Sequence, residues 1–234
     1  SMISIIGIDG FRSDVLRFDV SPFMYNLSLN SNVYFTSEHQ VEKDTYSGPN
    51  WSSILTGVHY DKHNVIDNTF AGHRFNYYPP FQFYIEDLNS QINTVAVSNW
   101  TPINTYICKD FDYAPEIPLN DSMVFQEAKE VLINSNPLYP DLLFLHFDEL
   151  DAAGHSHGFS YDVNEYTDIL TQLDIYIEKL FEIIELKRLQ GEDWMFVIIS
   201  DHGGYGTGHG DADNEYINKT VFFAQHPNIL FKNN

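Results

Sequence analysis

The sequence predicts an α/β fold, a three-layer sandwich around a mostly parallel central sheet. Three observations carry this. The runs Met2–Ile8, 141–147 and Trp194–Ser200 are mainly apolar rather than alternating, as strands buried on both faces are. Segments of helical periodicity separate them, the order expected of β-α-β units. The chain has 234 residues, 43% of them hydrophobic and 15% aromatic, enough for one large core.

Each element has its own justification. Met2–Ile8 runs into Asp9-Gly10, a strand and its exit loop. Residues 50–55 follow Pro49, which suits the first position of a helix. Residues 94–97 form a short strand. Residues 122–133 read as a helix stopped by Asn136-Pro137. Residues 141–147 form the next strand. Asp162-Val163-Asn164-Glu165 has capping-box spacing with Asp162 as cap. Behind it Ile169, Leu170, Leu173, Ile177, Leu180, Phe181 and Ile184 recur at helical spacing, with an end near Gly191. Trp194–Ser200 and 220–224 are the last strands. The stretch from about 65 to 118 is rich in Tyr, Phe, Asn and Pro. It is expected to be a loop-rich insertion over the site, inside a single domain spanning 1–234.

Charge narrows the function classes. Lys plus Arg number 12 against 33 for Asp plus Glu, a formal charge of −21. A nucleic-acid-binding surface or an anionic-membrane binder would need the opposite sign. The acidity suits capture of cations, and it repels a highly charged anion unless bound metal inverts the local field. The one cysteine, Cys108, excludes an internal disulfide framework and a cysteine-zinc site. No apolar run is long enough for a transmembrane segment. No signal peptide is visible, and Ser1-Met2 has the form of an expression scar. Asn-X-Ser/Thr sequons at Asn26, Asn50, Asn99 and Asn218 are weak evidence for secretion.

The chemistry-bearing residues fall at strand ends. Asp9 follows the first strand. The strand at 141–147 runs into Asp148 and Asp151-Ala152-Ala153-Gly154-His155. Trp194–Ser200 runs into Asp201-His202, with His209 soon after. In an open parallel sheet the carboxyl ends of the strands form the ligand crevice. Carboxylate oxygen with imidazole nitrogen suits zinc, and less sharply manganese. Two sets of three ligands follow: Asp9, Asp201 and His202, and Asp151, His155 and His209. Three protein ligands per metal leave an open, catalytic position. A pair of such metals can clamp both oxygens of an in-line displacement. Asp148 and Asp151 compete for one ligand position, and the x-x-Gly-His spacing favours Asp151. The nucleophile candidate is Ser47, in Thr45-Tyr46-Ser47-Gly48-Pro49-Asn50. It would stand at a helix N-terminus, where free N–H groups favour an anion. Thr45 is its rival.

These residues together resemble the alkaline phosphatase superfamily. The motifs are Ile5-Ile6-Gly7-Ile8-Asp9-Gly10, Ser47-Gly48-Pro49-Asn50 continuing to Thr56-Gly57, Asp151-x-x-Gly154-His155, Ser200-Asp201-His202-Gly203 and Gly208-His209-Gly210. Within it, the chain is most similar to the type I phosphodiesterase/nucleotide pyrophosphatase branch. That branch has a threonine nucleophile two residues before Pro-Asn, and a phosphate-binding Asn that falls here on Asn68. The resemblance implies a hydrolase with two divalent metal ions, zinc first and manganese second. It implies that Ser47 attacks phosphorus to give a phosphoseryl intermediate and also contacts the first metal. It implies that Asn68 and the Ser47 N–H hold a non-bridging oxygen. The implied substrate is a small-molecule phosphate ester. An amide in place of an arginine suits the single charge of a phosphodiester.

There are departures. Ser47 replaces threonine. Gly48 stands where the branch carries a bulky residue that helps stack a nucleobase. Six residues separate His202 from His209, closer to the phosphomutase and ethanolamine-phosphate transferase branches. A phosphomonoesterase, a phosphonate hydrolase or a phosphoethanolamine-type transferase is therefore the enzymatic alternative. A metal-binding interaction domain without turnover is the alternative outside catalysis. A sulfatase would need an arginine where Trp51 stands. Of the other candidates, His146 reads as a satisfied core histidine and His63 as a packing or capping residue. His157 reads as a loop residue, and Trp51, Tyr77, Tyr78 and Trp100 as core or pocket aromatics.

Overall fold

The structure, a computed structural model, describes residues 1–117 and 119–229. Six strands form one sheet: β1 (Met2–Ile8), β2 (Val33–Gln40), β3 (Thr94–Ser98), β4 (Leu142–Phe147), β5 (Trp194–Ser200) and β6 (Lys219–Gln225). Their order is β2-β6-β5-β1-β4-β3. β1 pairs in parallel with β4 and β5, and β3 in parallel with β4. β6 runs antiparallel to β5 and β2, and so gives the sheet its mixed edge.

Alternate side chains of each strand feed two cores, because successive Cβ atoms point to opposite faces. Ile6, Ile8, Leu143, Leu145, Phe147, Phe196 and Ile198 pack on one face. There they meet α1 (Pro22–Ser28), α5 (Asp121–Val131) and α7 (Asn164–Leu189), through Met24, Val124, Leu173 and Ile177. On the other face Ile5, Ala96, Phe144, Val197 and Ile199 pack against α2 (Ser47–Thr56), through Trp51 and Leu55. Each fully buried Leu, Ile or Phe side chain stabilises the fold by about 1.5–3 kcal/mol. α3 (Tyr60–His63), α4 (Phe81–Leu88), α6 (Glu149–His157) and α8 (Glu215–Asn218) complete the α-helices among the described residues.

Two helix starts differ from the sequence expectation. α2 starts at Ser47 rather than at 50, so Pro49 is its third residue. No intrahelical bond is lost, since the first four N–H groups of a helix have no partner inside it. α7 starts at Asn164 with Val163 as its cap, and no side chain caps it. Asp162 lies one residue before the cap, because the first helical N–H groups, those of Tyr166 and Thr167, close onto the Val163 carbonyl. α6 and β2 were not expected, being too polar to show a clear period. Within the stretch 65–118 lie α4, β3 and a π-helical turn, Ile103–Ile107.

Candidate active site

Three strand ends and one helix start converge. β1 delivers Asp9, β5 delivers Asp201 and His202, and α6, which follows β4, carries Asp151 and His155. The Asp9-Gly10 turn is stitched across the sheet. Gly10 N–H donates to Asp201 Oδ1 at 3.2 Å and Phe11 N–H to the Ser200 hydroxyl at 3.1 Å. Gly10 has φ +70°, and a β-carbon there would lie 2.9 Å from Asp151 Oδ1. A glycine is therefore required for close approach as well as for the turn.

In the first set of candidate ligands both carboxylates meet His202. His202 Nε2 lies 3.3 Å from Asp9 Oδ1 and 3.2 Å from Asp201 Oδ2. In the second set, His155 Nε2 lies 3.3 Å from Asp151 Oδ2, and His209 Nε2 lies 3.9 Å from Asp151 Oδ1. The rings of His202 and His209 stack at 3.8 Å, which joins the two sets. Ligand atoms of Asp151, His155 and His209 lie within 4.8 Å of one another, as do those of Asp9, Asp151 and His202.

The histidine tautomers follow from their partners. Nδ1 of His202 faces the Gly203 carbonyl at 2.8 Å, Nδ1 of His155 the Thr207 carbonyl at 2.9 Å, and Nδ1 of His209 the Thr45 carbonyl at 2.7 Å. A carbonyl only accepts, so each Nδ1 carries the hydrogen. All three rings therefore turn Nε2 into the site. This is how protein histidines are oriented for metal.

Electrostatics agree with a cation here. Asp151 Oδ1 and Asp201 Oδ2 are buried without a hydrogen-bond partner. Burial, then the Asp9 and Asp151 charges, push the Asp201 carboxyl well above its usual range. Burial and Asp9 push Asp148 up to about 7. Burial would also raise Asp9, but His146, His202 and Trp51 hold it below the usual carboxylate range. Carboxylates this close cannot all ionise in the absence of positive charge. The donor set, three imidazole nitrogens with three carboxylates, fits zinc-type ions.

Ser47 is the first residue of α2 and is 7% exposed. Its Oγ lies 3.4 Å from Asp9 Oδ1 and 3.2 Å from His202 Nε2, beside the first set. Thr45, the rival, donates its hydroxyl to the His209 carbonyl. Asn50 is fully occupied in holding the preceding loop. Its Oδ1 accepts from Glu42 N–H, and its Nδ2 donates to Asp44 and Tyr46 carbonyls. Asn68 reaches the same helix start, where its Oδ1 accepts from Gly48 N–H at 2.8 Å. A β-carbon at Gly48 would lie 2.7 Å from the Asp67 carbonyl. The segment that brings in Asn68 thus fills the space that a larger side chain would need.

Asp148 stays beside Asp9 and His146, and away from the His155–His209 pair. His63 is buried, with Nε2 2.8 Å from Ser53 Oγ and Nδ1 accepting from Val65 N–H. Tyr77 is exposed, and Tyr78 and Trp100 are half-buried. Two residues near Asp9 were not anticipated there. Trp51 donates its Nε1–H to Asp9 Oδ2 at 2.9 Å, and His146 Nε2 lies 3.1 Å from the same oxygen. The available signals were weak: Trp51 is one helical turn after Ser47, and His146 lies one residue before the strand end.

Comparison with known proteins places this architecture. Ectonucleotide pyrophosphatase/phosphodiesterase 2 of Saccharomyces cerevisiae is 20% identical over 255 residues, which cover 94% of this chain and 51% of that protein. The chain thus spans about half the length of that relative. The catalytic subunit of GPI ethanolamine phosphate transferase 3 of Mus musculus is 32% identical over 91 residues, 39% of this chain and 8% of that protein. Among solved structures, an inactive variant of murine ectonucleotide pyrophosphatase/phosphodiesterase 5 in complex with AMP superposes with a TM-score of 0.67 at 19% identity. That match covers 87% of this chain and 57% of the other, and it shows the shared fold. No helix among the described residues is long and apolar enough to cross a membrane. A model of the type I phosphodiesterase / nucleotide pyrophosphatase family matches residues 4–229, and the chain belongs to that family.

Proposed function

We propose that this chain carries the catalytic centre of a metal-dependent hydrolase that cleaves phosphodiesters of small molecules through Ser47. The observation that carries this reading is the convergence of three Nε2 atoms on the Asp9, Asp151 and Asp201 carboxylates, with Ser47 Oγ 3.2 Å from one of them. Two divalent cations, zinc before manganese, would be held by Asp9, Asp201, His202 and Ser47 and by Asp151, His155 and His209, and would supply Lewis acidity toward the phosphoryl oxygens.

The chain's own groups do the rest. Free N–H groups in the first turn of α2 favour negative charge on Ser47 Oγ. That oxygen forms a bond to phosphorus as the bond from phosphorus to the leaving alcohol breaks. Water then cleaves the phosphoseryl ester and restores the hydroxyl. Asn68, fixed through its Oδ1 by Gly48 N–H, turns its amide donor toward a non-bridging oxygen, which the Ser47 N–H also meets. Arg12, the arginine nearest Asp9 in sequence, is committed to Asp14 and to the Phe159 carbonyl. An amide in place of a free arginine suits one negative charge on phosphorus better than two.

The short step from His202 to His209 and the match to an ethanolamine phosphate transferase favour a second reading, transfer of the phosphoryl group to an acceptor alcohol. One experiment separates the readings. Metal is removed, zinc is restored, and bis-p-nitrophenyl phosphate is compared with p-nitrophenyl phosphate. Faster diester cleavage that Ser47→Ala abolishes is the expected result. Faster monoester cleavage would overturn the substrate class. No cleavage of either ester in water alone, and release of p-nitrophenolate once an acceptor alcohol is supplied, would favour the transferase.

A further inference from the structure

We propose that Trp51 and His146 restrict Asp9 to coordination through one oxygen, and so tune the centre toward a four-coordinate cation. The inference rests on the metal-site reading above and concerns residues outside the ligand sets.

Asp9 is fully buried, and its two oxygens have different surroundings. Oδ2 accepts from Trp51 Nε1–H at 2.9 Å and faces His146 Nε2 at 3.1 Å. Two N–H donors occupy its lone pairs. Oδ1 faces the candidate site, with His202 Nε2 at 3.3 Å and Ser47 Oγ at 3.4 Å. A carboxylate held in this way offers one oxygen, not two.

The donors are locked by packing. Trp51 and His146 are each 0% exposed. Their rings meet edge-on at 4.9 Å and 86°. Trp51 Cη2 would lie 2.5 Å from a β-carbon at Gly7, so the indole lies directly on the β1 backbone. Ser98 Oγ lies 3.3 Å from His146 Nδ1, on the other side of the imidazole. Trp51 is also four residues after Ser47, one turn along α2. One helix therefore sets both the nucleophile and the direction of the Asp9 carboxylate.

The consequence is a choice of metal. High coordination numbers are reached more easily when carboxylates can lend both oxygens, as they can to calcium, whereas zinc at a catalytic site takes few ligands. Hydrogen-bond partners of ligands alter affinity by about 10- to 100-fold.

Cobalt(II) in place of zinc gives a direct readout, because four-coordinate cobalt absorbs visible light far more strongly than six-coordinate cobalt. The parent protein is expected to show the intense band. Trp51→Phe and His146→Leu should weaken it, lower zinc affinity by about 10- to 100-fold, and narrow the preference for zinc over manganese. His146→Gln, which keeps an N–H donor, should return band and affinity toward the parent. Thermal unfolding of the metal-free variants checks that each is folded. Should Trp51→Phe not fold, the His146 pair decides. Folded variants with the parent's spectrum and affinity would overturn the inference, as would a six-coordinate spectrum in the parent. Failure of the parent to bind any metal would instead overturn the reading of the site itself.

Discussion

His155 Nε2 and His209 Nε2 stand 3.1 Å apart, although each ring has given its Nδ1 hydrogen to a backbone carbonyl. Two lone pairs at that distance repel unless a positive charge lies between them. In the metal-free protein a proton serves. The hydrogen bond to Asp151 moves His155 up to about 9, and burial moves His209 down to about 4. A divalent cation would replace that proton. Near pH 7, metal binding should release at least one proton, from His155, which is protonated below about 9, and a further proton from the Asp201 carboxyl, which burial and the neighbouring carboxylates hold above its usual range. Affinity should rise with pH up to that value. Calorimetry in buffers of different ionisation enthalpy measures the release, and His155→Gln should lower it by about one proton.

Ser47→Ala should lower turnover by at least about 10³-fold while metal content is kept. Ser47→Thr should retain most activity, because the hydroxyl stays at the start of α2. Metal analysis beside steady-state kinetics checks both. An active alanine variant would move the nucleophile elsewhere.

Asn68→Ala should lower kcat by about 10²–10³-fold, the typical cost of one oxyanion donor, with little change in stability. The exposed Asn68 side chain gives the fold only its bond to Gly48 N–H. A change in KM alone would mean that Asn68 binds substrate without acting on the transition state.

Gly48→Ala places a methyl group 2.7 Å from the Asp67 carbonyl and 3.1 Å from Asn68 Oδ1. Overpacking of this kind costs about 1–3 kcal/mol. The Asn68 segment should move away from α2 and activity should fall with it. Urea unfolding and kinetics on the same variant test the link.

Burial moves His63 down to about 4. The unfolded chain binds this proton near pH 6.5 and the folded chain only near 4. Stability from this site is therefore fully present above pH 6.5 and is lost as pH falls toward 4. His63→Gln should remove that part of the acid sensitivity. Urea midpoints of parent and variant across this range should converge as the pH falls, whereas parallel curves would show that His63 does not titrate this way.

The sheet was legible because β1 and β5 are apolar runs with sharp polar ends, and both were placed at Met2–Ile8 and Trp194–Ser200. Strand ends also pointed to Asp9, Asp201 and His202. β2 was not legible: its exposed and half-buried polar residues, such as Glu38 and His39, give no continuous apolar run. α6 was hidden for a related reason, since only Leu150 and Gly154 of its nine residues are buried. The contacts of Trp51 and His146 with Asp9 depend on the register that sets His146 beside Gly7. No local pattern encodes that register. The place of Asn68 likewise depends on how the segment after α3 folds back onto Gly48.

The central claim is that Ser47 Oγ bonds to phosphorus during turnover. The stereochemical course at phosphorus tests it most directly. A P-chiral phosphorothioate diester is hydrolysed in ¹⁸O-labelled water by the zinc-restored protein, and the product configuration is assigned. Two successive in-line displacements, one at Ser47 and one by water, predict retention. Inversion would mean a single displacement by water and would contradict the account.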